Sequence, residues 1–346
     1  MKIVQLHDES WDSGIAHYAL TLSAALKERG HEILFWAAPG SFAARQAKEL
    51  GLETREIANP WVTLGALRAE LKRCGVELIN AHTGSSHSLA AILAAGTKVR
   101  VVRTRGDTRP PAGHFLAQAL ARRTKVFIAA NRRLRDELSE SFPEARVELV
   151  FQGIASAGKP AALPEGPAKI GILGRLDEVK GHAVLLDAAA ELKPDFPSVQ
   201  FLCAGADTSG RLEFLSRQSR GLGLNGSFSF LGKVPDAASF IKGCGIGVVA
   251  SVGSEAVSRA ALEWMQLSRP LIATRVGCLP DLVEDGRTGL LVPPNDPEAL
   301  AKALSRLLCD PALAAEMGNR GRLRFEDLFS LSRFASETER VYRSAL

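Results

Sequence analysis

Short apolar runs alternate with helix-period segments along almost the whole chain, and this alternation limits the possible folds more than any other feature. KIVQLH (2–7), EILFWAA (32–38), VELINAH (76–82), VRVVRT (99–104), KVFIAA (125–130) and VELVFQG (147–153) read as strands, with a weaker one at 54–57. Between the first two, Ile15, Tyr18, Ala19, Leu22 and Leu26 recur at helical spacing, and further helices are predicted at 42–50, 64–74, 89–95, 115–121 and 132–141. Strands joined by crossover helices build a parallel sheet covered on both faces. ASAGKPAALPEGPA (155–168) then breaks the pattern: it is rich in Ala, Gly and Pro, lacks periodicity and reads as a linker. A second series follows, AKIGILG, VQFLCAG, SFSFLG, GIGVVAS, PLIAT and GLLVP, with helices between the strands and three more at 297–308, 312–325 and 331–345. The expected class is α/β: two doubly wound parallel-sheet domains, residues 1–155 and 169–330, facing a cleft and joined by 156–168.

At 346 residues the chain can bury two cores. Hydrophobic and charged contents of 46% and 23% are those of a globular protein. Five cysteines, Cys74, Cys203, Cys244, Cys278 and Cys309, are scattered singly with no C-x-x-C, which points to a reducing compartment and no zinc site. The N-terminus turns polar after six residues, unlike a signal peptide, and no apolar run approaches the roughly 20 residues of a spanning helix. The net charge of +5 is uneven: residues 1–155 hold 21 Lys and Arg against 16 Asp and Glu, so the whole excess lies there. Arg100, Arg103, Arg105, Arg109, Arg122, Arg123, Lys125, Arg132, Arg133 and Arg135 account for much of it. A basic half of this kind suits nucleic acid, anionic lipid or an acidic acceptor, or is an ordinary solvated surface.

The stretch 254–294 carries the densest chemistry. Glu255 and Glu263 stand eight residues apart behind the apolar strand GIGVVAS. If Arg259 to Gln266 is helical and the spacing is read on that geometry, the two carboxylates are expected about 12 Å apart along the axis, too far for an acid/base pair but suited to two ends of one extended ligand. The middle of that ligand is expected to be anionic, because helix N-terminal amides favour phosphate. Ser254 and Ser258 are good capping types for such a start. A lone glutamate pair is ordinarily solvated surface; the preceding strand changes the reading, since open α/β sheets bind ligands at strand carboxyl ends. GRLDEVKG (174–181) also leaves a strand and enters a helix: Gly174 permits a close turn, and Arg175 and Lys180 place two cations where a diphosphate could sit. Gly14 closes the first strand–helix loop, and His82 ends an apolar strand beside Thr83, Gly84 and Ser85. No P-loop is present, and no G-x-G-x-x-G follows a strand, which disfavours a dinucleotide dehydrogenase.

Taken together these motifs resemble retaining glycosyltransferases of the GT-B fold, from family 4. The resemblance spans nearly the whole chain: SGIAHYALTLSAALKERGHEI, the NAH strand end, RTRGDTRP, GRLDEVKG, the Glu255/Glu263 pair and GCLPDLVEDGRTGLLVPPNDPEALAKAL. It implies two Rossmann-like domains, the first binding acceptor and the second donor, with the C-terminal helix 331–346 crossing back to the first. It further implies that Arg175 and Lys180 neutralise the diphosphate of a UDP-, GDP- or ADP-sugar. Gly174 would turn the backbone beneath that diphosphate, and Gly14 would approach it from the first domain. Amides at Val257, Ser258 and Arg259 would bind phosphate, Glu263 the ribose and Glu255 the transferred sugar. His82 would contact the sugar near the anomeric centre, and Lys233 and Val234 would border the base. No metal or other cofactor is implied. The chain departs from the pattern at Val257, Ser258 and Arg259, at Cys278 beside Gly277, and at Gly106, where relatives often carry His. The first two bear on sugar identity, the third on acceptor contacts.

The implied chemistry is transfer with retention through a front-face step, the donor phosphate accepting the acceptor's proton while the cations and amides stabilise the leaving diphosphate. Removing either cation is expected to spare folding. A sugar-nucleotide epimerase and a non-catalytic binding protein are the alternatives. With the basic half placed on the acceptor domain, the expected setting is cytoplasmic. The enzyme would work on a glycan or lipid-linked acceptor at the inner face of the membrane, in envelope polysaccharide or lipopolysaccharide assembly, held weakly by anionic lipid and not by nucleic acid.

Overall fold

The computed structural model describes residues 1–107, 115–160, 162–253 and 255–346, which form two compact units, Met1–Gly153 with Leu331–Leu346, and Ile154–Ser330. Arg109 of the basic set, Ser254 of the expected capping pair and the end of RTRGDTRP lie outside the described residues.

In the first unit the chain runs β1 (Lys2–His7), α1 (Gly14–Glu28), β2 (Glu32–Ala37), α2 (Phe42–Glu49), β3 (Glu53–Glu56), α3 (Leu64–Cys74), β4 (Leu78–Ala81), α4 (Gly84–Ala94), β5 (Arg100–Arg105), α5 (Phe115–Arg122), β6 (Val126–Ala129), α6 (Arg132–Ser141) and β7 (Val147–Leu149). The second unit runs β8 (Lys169–Leu173), α7 (His182–Leu192), β9 (Gln200–Ala204), α8 (Leu212–Gly221), β10 (Phe228–Gly232), α9 (Ala237–Lys242), β11 (Ile246–Val249), α10 (Arg259–Gln266), β12 (Leu271–Thr274), α11 (Leu279–Leu282), β13 (Gly289–Val292), α12 (Pro297–Cys309) and α13 (Pro311–Leu328). The last helix, α14 (Leu331–Ala345), belongs to the first unit.

Both sheets are parallel, with strand orders β3-β2-β1-β4-β5-β6-β7 and β10-β9-β8-β11-β12-β13. Each order reverses once, between β1 and β4 and between β8 and β11, and in open α/β sheets such a reversal marks the binding crevice. Central strands bury nearly every residue because helices cover both faces, which is why they read as continuous apolar runs. Val4, Leu34, Trp36, Ile79 and Leu93 anchor the first core, and Ile170, Leu186, Phe201, Val248 and Leu304 the second. Each such side chain contributes about 1.5–3 kcal/mol on burial.

Several strands are shorter than the apolar runs that announce them, and the last of the first unit is cut the most. β7 stops at Leu149 instead of continuing to Gly153, because its partner β6 stops at Ala129 and Asn131 then caps α6, accepting from the Leu134 amide at 2.8 Å.

The face of α14 that carries Phe334, Val341 and Tyr342 is buried, and Phe334 meets Tyr18 of α1 edge-on at 4.7 Å. Its polar clasp is Glu339, bonded to Arg343 at 2.6 Å and to Arg29 at 2.8 Å. The Arg343 hydrogen bond, followed by that from Arg29, holds the Glu339 carboxyl at about 2 against the opposing effect of burial. A carboxyl depressed on folding stabilises fully above its unfolded value and loses that contribution as pH falls through the folded one. Glu339→Gln is therefore expected to be less stable than wild type at pH 7, with the gap closing between pH about 5 and about 2. Urea midpoints across that range check it, and a pH-independent gap contradicts it.

Candidate active site

The second unit's crevice is built by close backbone approach. β8 and β11 pair in register at Gly171 and Gly247, and the indole of Trp264 lies over that glycine pair. A Cβ on Gly247 would come within 2.3 Å of the ring, and one on Gly171 within 2.6 Å. The absence of two methyl groups thus seats α10 tightly against the strands that flank the reversal. The loop after β8 is clamped as well. The Gly174 amide bonds to Ala204 at 2.9 Å, the Leu176 amide to Ala206 at 3.0 Å, and the Val252 amide to Val179 at 2.9 Å. Gly181 has φ +70°, and a Cβ there would lie 1.9 Å from the Ala250 carbonyl oxygen. Only glycine permits that approach.

The clamp brings Lys180 and Glu255 together. Lys180 Nζ lies 2.5 Å from Glu255 Oε1, and the Ser251 hydroxyl donates to the same oxygen at 2.5 Å. The carboxylate is only 2% exposed while the lysine side chain is 27% exposed, so the ammonium faces both the buried acid and the solvent. The main chain of Glu255 is fixed by its carbonyl, which accepts from the Cys278 amide at 2.7 Å. That turn needs Gly277, whose φ is +55° and whose Cβ would sit 2.0 Å from the Glu255 oxygen. Cys278 fills the space beside it, its thiol pushed well up by burial and then by Glu255. Arg175, more exposed, pairs with Asp177 at 2.8 Å.

Two expectations are corrected. α10 runs Arg259–Gln266 as expected from sequence, but the chain from 255 to 258 is not helical, so the axial separation of about 12 Å between Glu255 and Glu263 does not apply. Ser258 occupies the N-cap position, but its hydroxyl makes no capping bond, because its backbone, with ψ 89°, is not in the extended conformation that turns a capping side chain over the first turn. Its own hydroxyl therefore leaves the amides after it for another acceptor. Glu263 does lie on α10, bonded to Arg259 at 2.7 Å with its side chain 13% exposed. Lys233 and Val234 follow β10, two strands out from β8 at the same end of the sheet. Gly174 shares the clamped loop with Arg175 and Lys180; Gly14 and His82 belong to the other unit.

In the first unit the reversal between β1 and β4 places Asp8 beside Thr83. The Thr83 hydroxyl donates to Asp8 and accepts from the Ser86 amide at 3.1 Å, capping α4. Gly14 opens α1, whose cap is the neighbouring Ser13. His82 is completely buried and so presents no surface to a solute in this structure. Its Nε2 donates to Gln5 Oε1 at 2.8 Å, an oxygen that also accepts from Asn80, and this assigns the remaining lone pair to Nδ1. Asn80 donates in turn to Tyr342 of α14 at 2.7 Å and accepts from Thr104 at 3.0 Å. Burial, then His7 and Arg103, hold His82 well below its usual value, so the ring is neutral. Sequence reasoning gave no individual role to Ser251, Asp8 or the Arg103–Asp107–Arg105 group, in which both guanidiniums bond Asp107 at 3.1 Å. The RTRGD string was the available signal. Gly106 within it packs on Ile15, 2.6 Å from where a Cβ would stand. Among the described residues no group of three or more His, Cys, Asp or Glu could hold a metal ion.

The pattern of Glycosyltransferase Family 4 matches residues 13–157, and that of Glycosyl transferases group 1 matches 167–310. Alpha-maltose-1-phosphate synthase of Mycolicibacterium smegmatis is 30% identical, the match covering 83% of this chain and 87% of that protein. The chain belongs to glycosyltransferase family 4 and is a glycosyltransferase. D-inositol 3-phosphate glycosyltransferase of Corynebacterium urealyticum is 35% identical, the match covering 49% of this chain and 42% of that enzyme, less than half its length. The lipopolysaccharide core biosynthesis mannosyltransferase LpcC of Rhizobium leguminosarum is 30% identical over 58% of this chain and 56% of its own. The structure of Anabaena HepE in complex with UDP superposes with a TM-score of 0.89 at 19% identity, over 99% of this chain and all of that one.

The seat of α10 can be tested directly. Gly247→Ala drives a methyl into the Trp264 ring and is expected to cost about 1–3 kcal/mol by overpacking. Gly247→Ala should cost less when added to Trp264→Leu than when made in the wild type, because the ring it strikes is gone. Denaturant unfolding of the cycle checks it, and strict additivity of the two substitutions contradicts the contact.

Proposed function

We propose that the enzyme transfers a sugar from a nucleoside diphosphate sugar, with retention, to an envelope glycan or lipid-linked saccharide. The observation that carries this is the Lys180–Glu255–Ser251 cluster at the β8/β11 reversal. In a sugar diphosphate the sugar and the phosphates are bonded neighbours, so a cation reaching the phosphate and a carboxylate reaching sugar hydroxyls must themselves be neighbours. Lys180 and Glu255 meet that requirement at 2.5 Å. Arg175 adds a second cation to the diphosphate, and the amides of Val257, Ser258 and Arg259 supply donors at the start of α10. Glu263 accepts from the ribose hydroxyls, while Gly174 keeps the loop close and Lys233 and Val234 border the base.

As the glycosidic bond lengthens, negative charge gathers on the leaving diphosphate. Groups already fixed around it stabilise that charge more than they stabilise the ground state. A donor phosphate oxygen takes the proton of the attacking hydroxyl on the same face, which gives retention. Residues 1–155 with α14 form the acceptor part and 169–330 the donor part. His82, buried and neutral, acts as a positioning residue through its bond to Gln5.

The acceptor class rests on the first unit's charge and on the likeness to the lipopolysaccharide mannosyltransferase. Trp11 (55% exposed), Trp61 (61%) and Phe115 (77%) all follow carboxyl ends of strands in this unit, and interfacial aromatics of this kind suit a headgroup region. No helix among the described residues is long and apolar enough to cross a membrane. The proposed setting is therefore peripheral, at the inner, cytoplasmic face.

Arg175→Ala should lower transfer by about 2–4 kcal/mol of barrier with folding intact, since the side chain is 44% exposed. Lys180→Ala should lose turnover similarly but, contrary to the expectation from sequence, also lose stability, because Glu255 is left buried with the Ser251 hydroxyl as its side-chain donor among the described residues. Adding Glu255→Gln should restore stability and not turnover. Wild-type turnover in either single variant contradicts the assignment.

Glu263→Ala should chiefly weaken nucleotide binding, and Glu255→Ala should chiefly lower kcat or shift sugar preference. Titration calorimetry with UDP, GDP and ADP checks this. Unchanged nucleotide affinity in Glu263→Ala rules out the ribose contact.

A further inference from the structure

At the opposite end of the first sheet from its strand carboxyl ends, α4, β5 and α5 enclose a concavity of about 360 Å³. Its floor includes Ala94 and Val99, and its polar lining is entirely cationic: Arg100, Arg122, Arg123 and Lys125, with no carboxylate among the lining residues. Arg122 has one distant, solvent-exposed partner, Glu144 at 3.9 Å. Arg100, Arg123 and Lys125 have no ion pair with any described residue.

A structural explanation would be that these cations compensate the negative C-terminal ends of α4 and α5. The bonds already in place argue otherwise. The carbonyls of Ile92 and Ala95 at the end of α4 both accept from Arg68 of α3, at 2.8 Å each. At the end of α5, Leu120 accepts from the Thr124 hydroxyl at 2.9 Å and the Arg123 amide at 3.1 Å, and Ala121 accepts from the Thr124 amide at 3.0 Å. The helix ends are met by other groups, while four like charges converge on one hollow. That convergence opposes folding by mutual repulsion unless an anion joins it.

We propose that this hollow is a second anion site that takes a phosphate-bearing group, separate from the donor crevice and independent of the transferase reading above. Guanidiniums match phosphate oxygens in pairs, and Lys125 adds a point charge. The volume lies at the small end of ligand sites, enough for one phosphorylated sugar or one lipid headgroup, and the alanine and valine floor suits the carbon part of either. The shared chemistry is the phosphate; its source is a soluble metabolite or a phospholipid.

Inorganic pyrophosphate titrated into the full chain at low salt should show two components. One should disappear with Arg175→Ala. The other should weaken at least tenfold in the triple variant Arg100→Gln, Arg123→Gln, Lys125→Gln, whose thermal unfolding without added anion should be no lower than wild type, because like-charge repulsion is relieved and the positions are exposed at Arg123 and Lys125 and half-buried at Arg100. Failure of the donor reading would remove only the Arg175-dependent component. Co-sedimentation with phosphatidylglycerol vesicles identifies the source: a drop in the triple variant assigns the site to lipid, and equal binding alongside lost pyrophosphate affinity assigns it to a soluble phosphate. If the folded triple variant binds both pyrophosphate and vesicles as wild type does, the site does not exist.

Discussion

The packing of Trp264 over the paired glycines of β8 and β11 is the contact on which the second unit's chemistry rests. An indole packed directly on a glycine pair brings a helix closer to a sheet than a layer of side chains would allow. That closeness fixes where α10 begins, hence where its first amides point and where Glu263 projects. The same economy of side chain recurs at Gly181 against Ala250 and at Gly277 against Glu255. These close approaches, one of a side chain and two of backbone, all made possible by missing Cβ atoms, hold the loop 174–181, the segment around Glu255 and the turn at Cys278 as one assembly.

Within that assembly a carboxylate is buried at a real desolvation cost, offset by Lys180 and the Ser251 hydroxyl. The compensation is asymmetric, because Lys180 keeps part of its surface in water. A pair of this kind lets one cation serve a buried acid on one side and an incoming phosphate on the other. It also ties stability to function at this point, so the two effects of changing Lys180 are separable only through its partner.

The first unit solves a different problem at its reversal. Gln5, Asn80, Thr104 and Tyr342 form a buried polar network around His82, and burial keeps that ring neutral. Such a network is favourable only when nearly complete, and Tyr342 completes it from the last helix of the chain. The unit thus depends on a segment far from it in sequence, held from outside by Glu339 and its arginines. Its positive charge is likewise not a uniform coat: part is spent on Asp107 and on helix ends, and part converges on the hollow beside α5.

Local pattern was enough to read most of the elements. The alternation of apolar runs and helix-period segments determined two parallel sheets, because a strand followed by a crossover helix has one common way to pack. It also showed that Gly174, Arg175 and Lys180 leave a strand and enter a helix, and that His82 ends another. Shortfalls came where a neighbour decides. β7 ends early because β6 does, and Glu255 lies outside α10 because the turn at Gly277 and Cys278 captures its carbonyl. No spacing rule contains those partners. The sequence by itself determined the class of fold and the ends of strands at which charged residues stand. The tertiary structure alone decided that Lys180 meets Glu255, that Trp264 lies on two glycines 76 residues apart, and that His82 is closed off from solvent, since each depends on contacts between segments distant in the chain.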